Sequence, residues 1–226
     1  MVFRTSWLSG TKARIMVSVI AVLVLSATVA LAGVNEDLWA ATSRGDLLVV
    51  ERLLTKGAEV NAKTNAGLTA LMIASFQGNL KIVQVLIARG AEVNAKGKDG
   101  LTALSMASHN GHLKVVQTLI DKGAEINAKG TDDCTALIFA SMKGHWEVVQ
   151  TLLAKGAEIN AKTNKLGLTA LIFASMYGHL KVVQALLLDK RVEVNAKAKN
   201  GKTALTAATL NDHREVRELL KKAGAK

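Results

Sequence analysis

The chain has no proline and a single cysteine, Cys134, among its 226 residues. One thiol cannot close an internal disulfide, so packing alone must hold the fold together, even in an oxidising compartment. Aromatic residues make up 4% of the chain. That is too few for the stacking surfaces on which single-stranded nucleic acids are bound. Glycine-rich phosphate loops of the G-x-x-x-x-G-K type are missing, because the glycines recur at long, regular spacing instead. His109 and His112 are close in sequence, but no cysteine or carboxylate completes a ligand set with them, so neither a metal nor a cofactor is expected. No serine, cysteine or threonine is singled out beside a base, and the reading is non-enzymatic.

Half of the residues are hydrophobic and 21% are charged, an ordinary globular balance. A core of Ala, Leu, Val and Ile without proline points to helices joined through small-residue interfaces. The first 32 residues differ from the rest. Arg4, Lys12 and Arg14 form a basic start, and no charge follows between Ile15 and Val34. The apolar heart runs from Val17 to Leu25 and ends in Ala30-Leu31-Ala32. A basic start, a short apolar run and an Ala-x-Ala end are the parts of a secretory signal peptide, here residues 1–32, with cleavage expected after Ala32. The alternative is an uncleaved membrane anchor, since 20 uncharged residues just span a bilayer. Loss of residues 1–32 removes three basic groups and no acid, lowering the net charge from +11 to +8. The remaining chain is basic and suits an acidic partner or a phosphate-bearing surface. Export to the periplasm or the medium makes nucleic acid an unexpected partner, and a monomer is the default.

From residue 33 onward the chain repeats itself. Thr-Ala-Leu begins at Thr69, Thr102, Thr135, Thr169 and Thr203, in steps of 33, 33, 34 and 34. A second marker places Asn61, Asn94, Asn127, Asn160 and Asn195 in steps of 33, 33, 33 and 35. Each unit has the same grammar. Thr69 is a helix cap, since its hydroxyl can accept a free N–H of the first turn. Leu71, Ala74 and Ser75 share a face, and Gly78 ends the helix with a left-handed residue. Ile82, Val83, Leu86 and Ile87 line a second helix that stops at Gly90. Ala91 to Lys96 runs extended, and Lys98-Asp99-Gly100 is a tight turn. One such unit cannot bury its apolar faces alone, whereas stacked units can.

The pattern G-x-T-A-L-x-x-A-S-x-x-G-H-x-x-V-V-Q-x-L-x-x-x-G-A-E-V-N-A resembles the ankyrin repeat. The resemblance covers residues 35–226 and implies an all-α solenoid of stacked helix-turn-helix units with β-turn fingers. Six units are counted, at about 35–65, 66–99, 100–132, 133–166, 167–200 and 201–226. The chain departs from the family pattern in several places. Ala70, Ala103, Ala136, Ala170 and Ala204 stand where the family has proline. Met72, Ser105, Ile138, Ile172 and Thr206 replace its histidine, which puts the usual polar network there in doubt. The fifth unit ends Leu188-Asp189-Lys190-Arg191 without Gly-Ala, so local irregularity is expected. Asp212 replaces a glycine in the last unit, whose charged tail suits a terminal cap. Cys134 stands where Leu68, Leu101 and Leu168 stand in other units, as a small packed or half-exposed thiol. His112, His145, His179 and His213 share one position, read as a structural hydrogen bond.

Two segments, Thr135–His145 and Thr169–His179, differ at one position only, Lys143 against Tyr177. In the ankyrin family the end of the first helix faces the concave side. The resemblance therefore implies a partner-binding strip of Phe76, Gln77, His109, Asn110, Met142, Lys143, Met176, Tyr177, Leu210 and Asn211. Beside it run two basic columns. One is Lys63, Lys96, Lys129, Lys162 and Lys197; the other is Lys56, Arg89, Lys122, Lys155 and Lys190. Their plain reading is a solubilising face copied with the repeat. The expected function is exported protein–protein binding, and the alternative is a membrane-anchored or anionic-surface-binding scaffold.

Overall fold

A computed structural model describes residues 33–226; the expected signal peptide or anchor in residues 1–32 lies outside them. The described residues are helical with no strands. A first helix, α1, covers residues 33–44. It is followed by α2 (Leu47–Thr55), α3 (Ala70–Gln77), α4 (Leu80–Ala88), α5 (Ala103–His109), α6 (Leu113–Asp121), α7 (Ala136–Lys143) and α8 (Trp146–Ala154). The last four are α9 (Ala170–Met176), α10 (Leu180–Leu188), α11 (Ala204–Leu210) and α12 (Arg214–Lys222). Helices pair in chain order, and the pairs stack. The odd-numbered helices from α3 to α11, termed inner, pack side by side as one layer, and the even-numbered helices from α2 to α12, termed outer, form a second. This is the expected all-α solenoid.

Each inner helix begins as its sequence demands. The Thr69 hydroxyl accepts from the Met72 N–H at 3.3 Å, and Thr135 and Thr169 do the same for Ile138 and Ile172. Where the third helical residue is polar, at Ser105 and Thr206, its hydroxyl also accepts from the cap residue's N–H, forming a capping box. The polar network left in doubt is thus replaced by Met72, Ile138 and Ile172 packed in the core, and by two local caps. Alanine at the first helical turn is fully buried at Ala70, Ala170 and Ala204, so inner helices approach closely. Of the face expected in α4, Ile82, Val83 and Leu86 are buried and Ile87 is half-buried; α6 buries Val115, Val116 and Leu119 in the same way.

Polar bonds run from pair to pair with the same period. Asn94 accepts from the Glu125 N–H at 2.8 Å and donates to the Gly123 carbonyl at 3.0 Å. Asn61, Asn127, Asn160 and Asn195 make the equivalent two bonds to the next unit. The irregular end of the fifth unit is absorbed here, because Asn160 donates to the Arg191 carbonyl in place of a glycine's. Arg191 also grips Asp189, with Nη2 to Oδ2 at 2.6 Å. Hydrogen bonds from Arg191 hold the Asp189 carboxyl down to about 2.

Candidate protein-interaction face

The inner helices present two adjacent rows of side chains, three residues apart, so neighbours in the two rows share a helix face. The first row is Ile73, Met106, Phe139 and Phe173, all half-buried. The second is Phe76, His109, Met142, Met176 and Leu210. Of these, Phe76 and Leu210 are exposed, at 47% and 67%, while His109, Met142 and Met176 are half-buried. Gln77, Lys143, Tyr177 and Asn211 are exposed beside them, and Asn110 is half-buried. The strip expected from the sequence is therefore interrupted: its middle is partly packed, and its exposed apolar groups lie at Phe76, Tyr177 and Leu210.

Part of the strip closes into a cavity of about 200 Å³ lined by Phe76, Leu101, Ser105, Met106, His109 and Phe139. The His109 ring meets Phe139 edge-on, with centroids 5.8 Å apart and planes at 69°. Its Nδ1 lies 2.9 Å from Asn110 Oδ1, while Asn110 Nδ2 donates to the Phe76 carbonyl at 2.7 Å. This network ties three strip residues together across α3 and α5. Leu101 belongs to the finger before α5, so the cavity sits between helices and finger. Met106 and Phe139 were missed from sequence because they are identical in kind to core residues; their spacing, three before His109 and Met142, was the available signal.

The histidine position explains why the strip is held in place. His112, His145, His179 and His213 each send Nε2 to a carbonyl of the preceding unit: Phe76, His109, Met142 and Met176, at 2.9–3.1 Å. A carbonyl only accepts, so Nε2 carries the proton. Each ring lies against the glycine of the preceding unit, Gly78, Gly111, Gly144 or Gly178, where a methyl group would collide with it. The reading of these histidines as making a structural hydrogen bond holds. Burial lowers the His145 pKa from the ordinary value of 6.5, against the raising effect of its bond to His109.

Fingers flank this face. Gly97 donates to the Leu101 carbonyl at 2.9 Å and Gly100 to Gly97 at 3.0 Å, closing the turn expected at Lys98-Asp99-Gly100. In the fourth finger Asp133 replaces glycine and takes φ 57°, as does Asp132. Aspartate tolerates this left-handed conformation better than most residues. Asp132 Oδ1 then accepts from the Lys165 N–H at 2.5 Å, and its carbonyl from Asn164 at 2.9 Å, holding the next, longer finger. Cys134 is half-buried; burial, then the charges of Asp132 and Asp133, push its thiol pKa above the ordinary 9.0. This disfavours the thiolate that redox chemistry needs.

The basic columns are not uniform. Lys63 Nζ donates to the Lys96 carbonyl at 3.0 Å and Lys162 Nζ to the Lys197 carbonyl at 3.4 Å, so both reach into the next finger. In the second column Lys155 pairs with Asp121 at 3.6 Å. Exposed Glu59, Glu92, Glu125, Glu158 and Glu193 run between the two columns. Among the described residues no group of three metal-ligating side chains converges, and no helix is long and apolar enough to cross a membrane.

A stack of closely similar cores with a variable, partly apolar inner face defines a repeat solenoid that binds through side chains on a shared scaffold. The family model described as ankyrin repeats (3 copies) matches residues 38–130, 97–163 and 137–226. The chain belongs to the ankyrin repeat family, whose stacks are protein–protein interaction modules. None of the curated proteins compared with it matches.

Proposed function

We propose that this chain is an exported, non-enzymatic binding module of six ankyrin units that holds a partner protein on its concave face. The observation that carries the reading is the contrast along the inner helices. Leu71, Ala74 and Ser75 and their equivalents in α5, α7 and α9 are buried and invariant between units, whereas the exposed positions read Phe76-Gln77, Lys143, Tyr177 and Leu210-Asn211. Exposed aromatic groups beside polar ones are favoured at protein interfaces. The cavity beside Phe76 gives an apolar anchor on the partner a place to insert.

The test is photocrosslinking in the native host, with the crosslinker at Tyr177 or, on an outer helix, at Thr151. A partner captured from Tyr177 and not from Thr151, and lost when Lys143 and Tyr177 are both alanine, supports the concave face. Equal capture from Thr151 overturns it. Export is tested separately by intact mass after fractionation. A chain starting at Gly33 in the soluble periplasm or medium supports cleavage; a full-length chain in the membrane fraction means an anchor.

A further inference from the structure

We propose that the tips of the fifth and sixth fingers dock on an anionic phospholipid surface. Positive charge along the finger edge is concentrated at one end of the stack. The finger before α3 carries Lys63 alone, and that before α5 sets Lys96 and Lys98 against Asp99. The finger before α7 sets Lys129 against Asp132 and Asp133. Residues 160–169 and 195–203 then carry Lys162, Lys165, Lys197, Lys199 and Lys202 and no acid at all. All five lysines are exposed.

The backbone holds these charges together. Lys199 N–H donates to the Leu166 carbonyl at 2.9 Å, and Lys162 Nζ reaches the Lys197 carbonyl, so the two fingers form one edge. Ala198 donates to the Lys202 carbonyl at 2.9 Å, closing the sixth finger and setting Lys199 and Lys202 on either side of its turn. Two acids beside the patch are engaged, while Glu158 at the base of the fifth finger is exposed. Asp132 accepts from the Lys165 N–H, and Asp189 is clamped by Arg191. Glu193, at the base of the sixth finger, is exposed.

The apolar component distinguishes a membrane from an acidic peptide. Leu166 occupies the extra residue of the fifth finger and is 56% exposed, flanked by Lys165. An acidic peptide needs a groove, and this residue projects from a tip. An apolar tip ringed by lysines suits the headgroup boundary, where leucine enters the acyl edge and lysines meet phosphates. The tips are a different surface from the inner-helix face, so this proposal stands or falls independently of the partner proposed above.

The experiment uses the full chain with Cys134→Ser and one environment-sensitive thiol probe, either at Asn164→Cys in the fifth finger or at Asn65→Cys in the second. Vesicles are phosphatidylcholine, with or without phosphatidylglycerol. The expected result is a blue shift at the fifth finger with phosphatidylglycerol only, fading as salt rises, and no shift at the second finger. Each lysine near such a surface is worth roughly a fivefold gain in partitioning, so Lys165→Glu, Lys199→Glu and Lys202→Glu together lower it by about a hundredfold or more. No shift at the fifth finger overturns the proposal. So does an equal shift of both probes in neutral vesicles, which assigns binding to residues 15–34. A shift induced by polyglutamate without lipid assigns the patch to an acidic protein and also overturns it.

Discussion

Gly111→Ala probes the contact on which the stack's alignment depends. Gly111 has φ +74°, and a methyl group built there overlaps the imidazole of His145. An alanine forced into the left-handed region costs about 1.5 kcal/mol. The ring must also move, breaking the 3.0 Å bond from His145 Nε2 to the His109 carbonyl, which contributes about 1 kcal/mol. The sum is about 2.5 kcal/mol, read as a loss in urea unfolding followed by circular dichroism. His145→Ala separates the two parts. In that background there is no ring to strike, so Gly111→Ala retains only the backbone cost of about 1.5 kcal/mol. The double-mutant cycle then shows a coupling of about 1 kcal/mol. Equal costs in the two backgrounds would refute the idea that ring and glycine form one interlocking element.

Three further outcomes follow from the same geometry. Ser141 is fully buried and its hydroxyl has no partner, whereas Thr42 and Thr209 at the equivalent position donate to Leu38 and Leu205 carbonyls; Ser141→Ala is expected to raise stability by about 1 kcal/mol in urea titration, and Thr42→Ala is not. Asp133→Gly is expected to stabilise by about 1 kcal/mol by relieving left-handed strain, and to bring the Cys134 thiol partway back towards its ordinary range, since Asp133 is one of the charges raising it; thiolate absorbance against pH reads the second effect. For His145, the folded state disfavours the proton, so the unfolded chain binds it more readily. Its contribution is complete above the ordinary value of 6.5 and is lost as pH falls below it. Urea midpoints against pH test this, with His145→Asn expected to flatten that part of the slope.

The period and the boundaries of the helices were legible because threonine caps and glycine ends act locally. Thr69 bonds within its own first turn, and Gly78 takes φ +75° as a terminating glycine should. What lay beyond reading was the set of bonds that cross between units. Asn94 served only as a marker of spacing, although its side chain makes two bonds to the next unit. A column of lysines was visible, but not that Lys63 and Lys162 spend their ammonium groups on neighbouring fingers. In the strip, Met142 and Met176 lie at the ends of α7 and α9. Their half-burial depends on neighbouring helices and is invisible in a single unit.

The histidine and asparagine bonds also bear on how such a chain can grow. The third, fourth and fifth units each offer a carbonyl and an amide to the unit after them and present a ring and an N–H to the one before, whereas the second has Asn79 in place of the ring. Each junction therefore resembles the next, and whole units are interchangeable in the way that bricks in a course are. Duplicating or excising one complete period among the histidine-bearing units re-forms these bonds across the new seam, while a shorter cut leaves a histidine facing no carbonyl. The near-identical segments Thr135–His145 and Thr169–His179 are what that tolerance would leave behind in the genetic record.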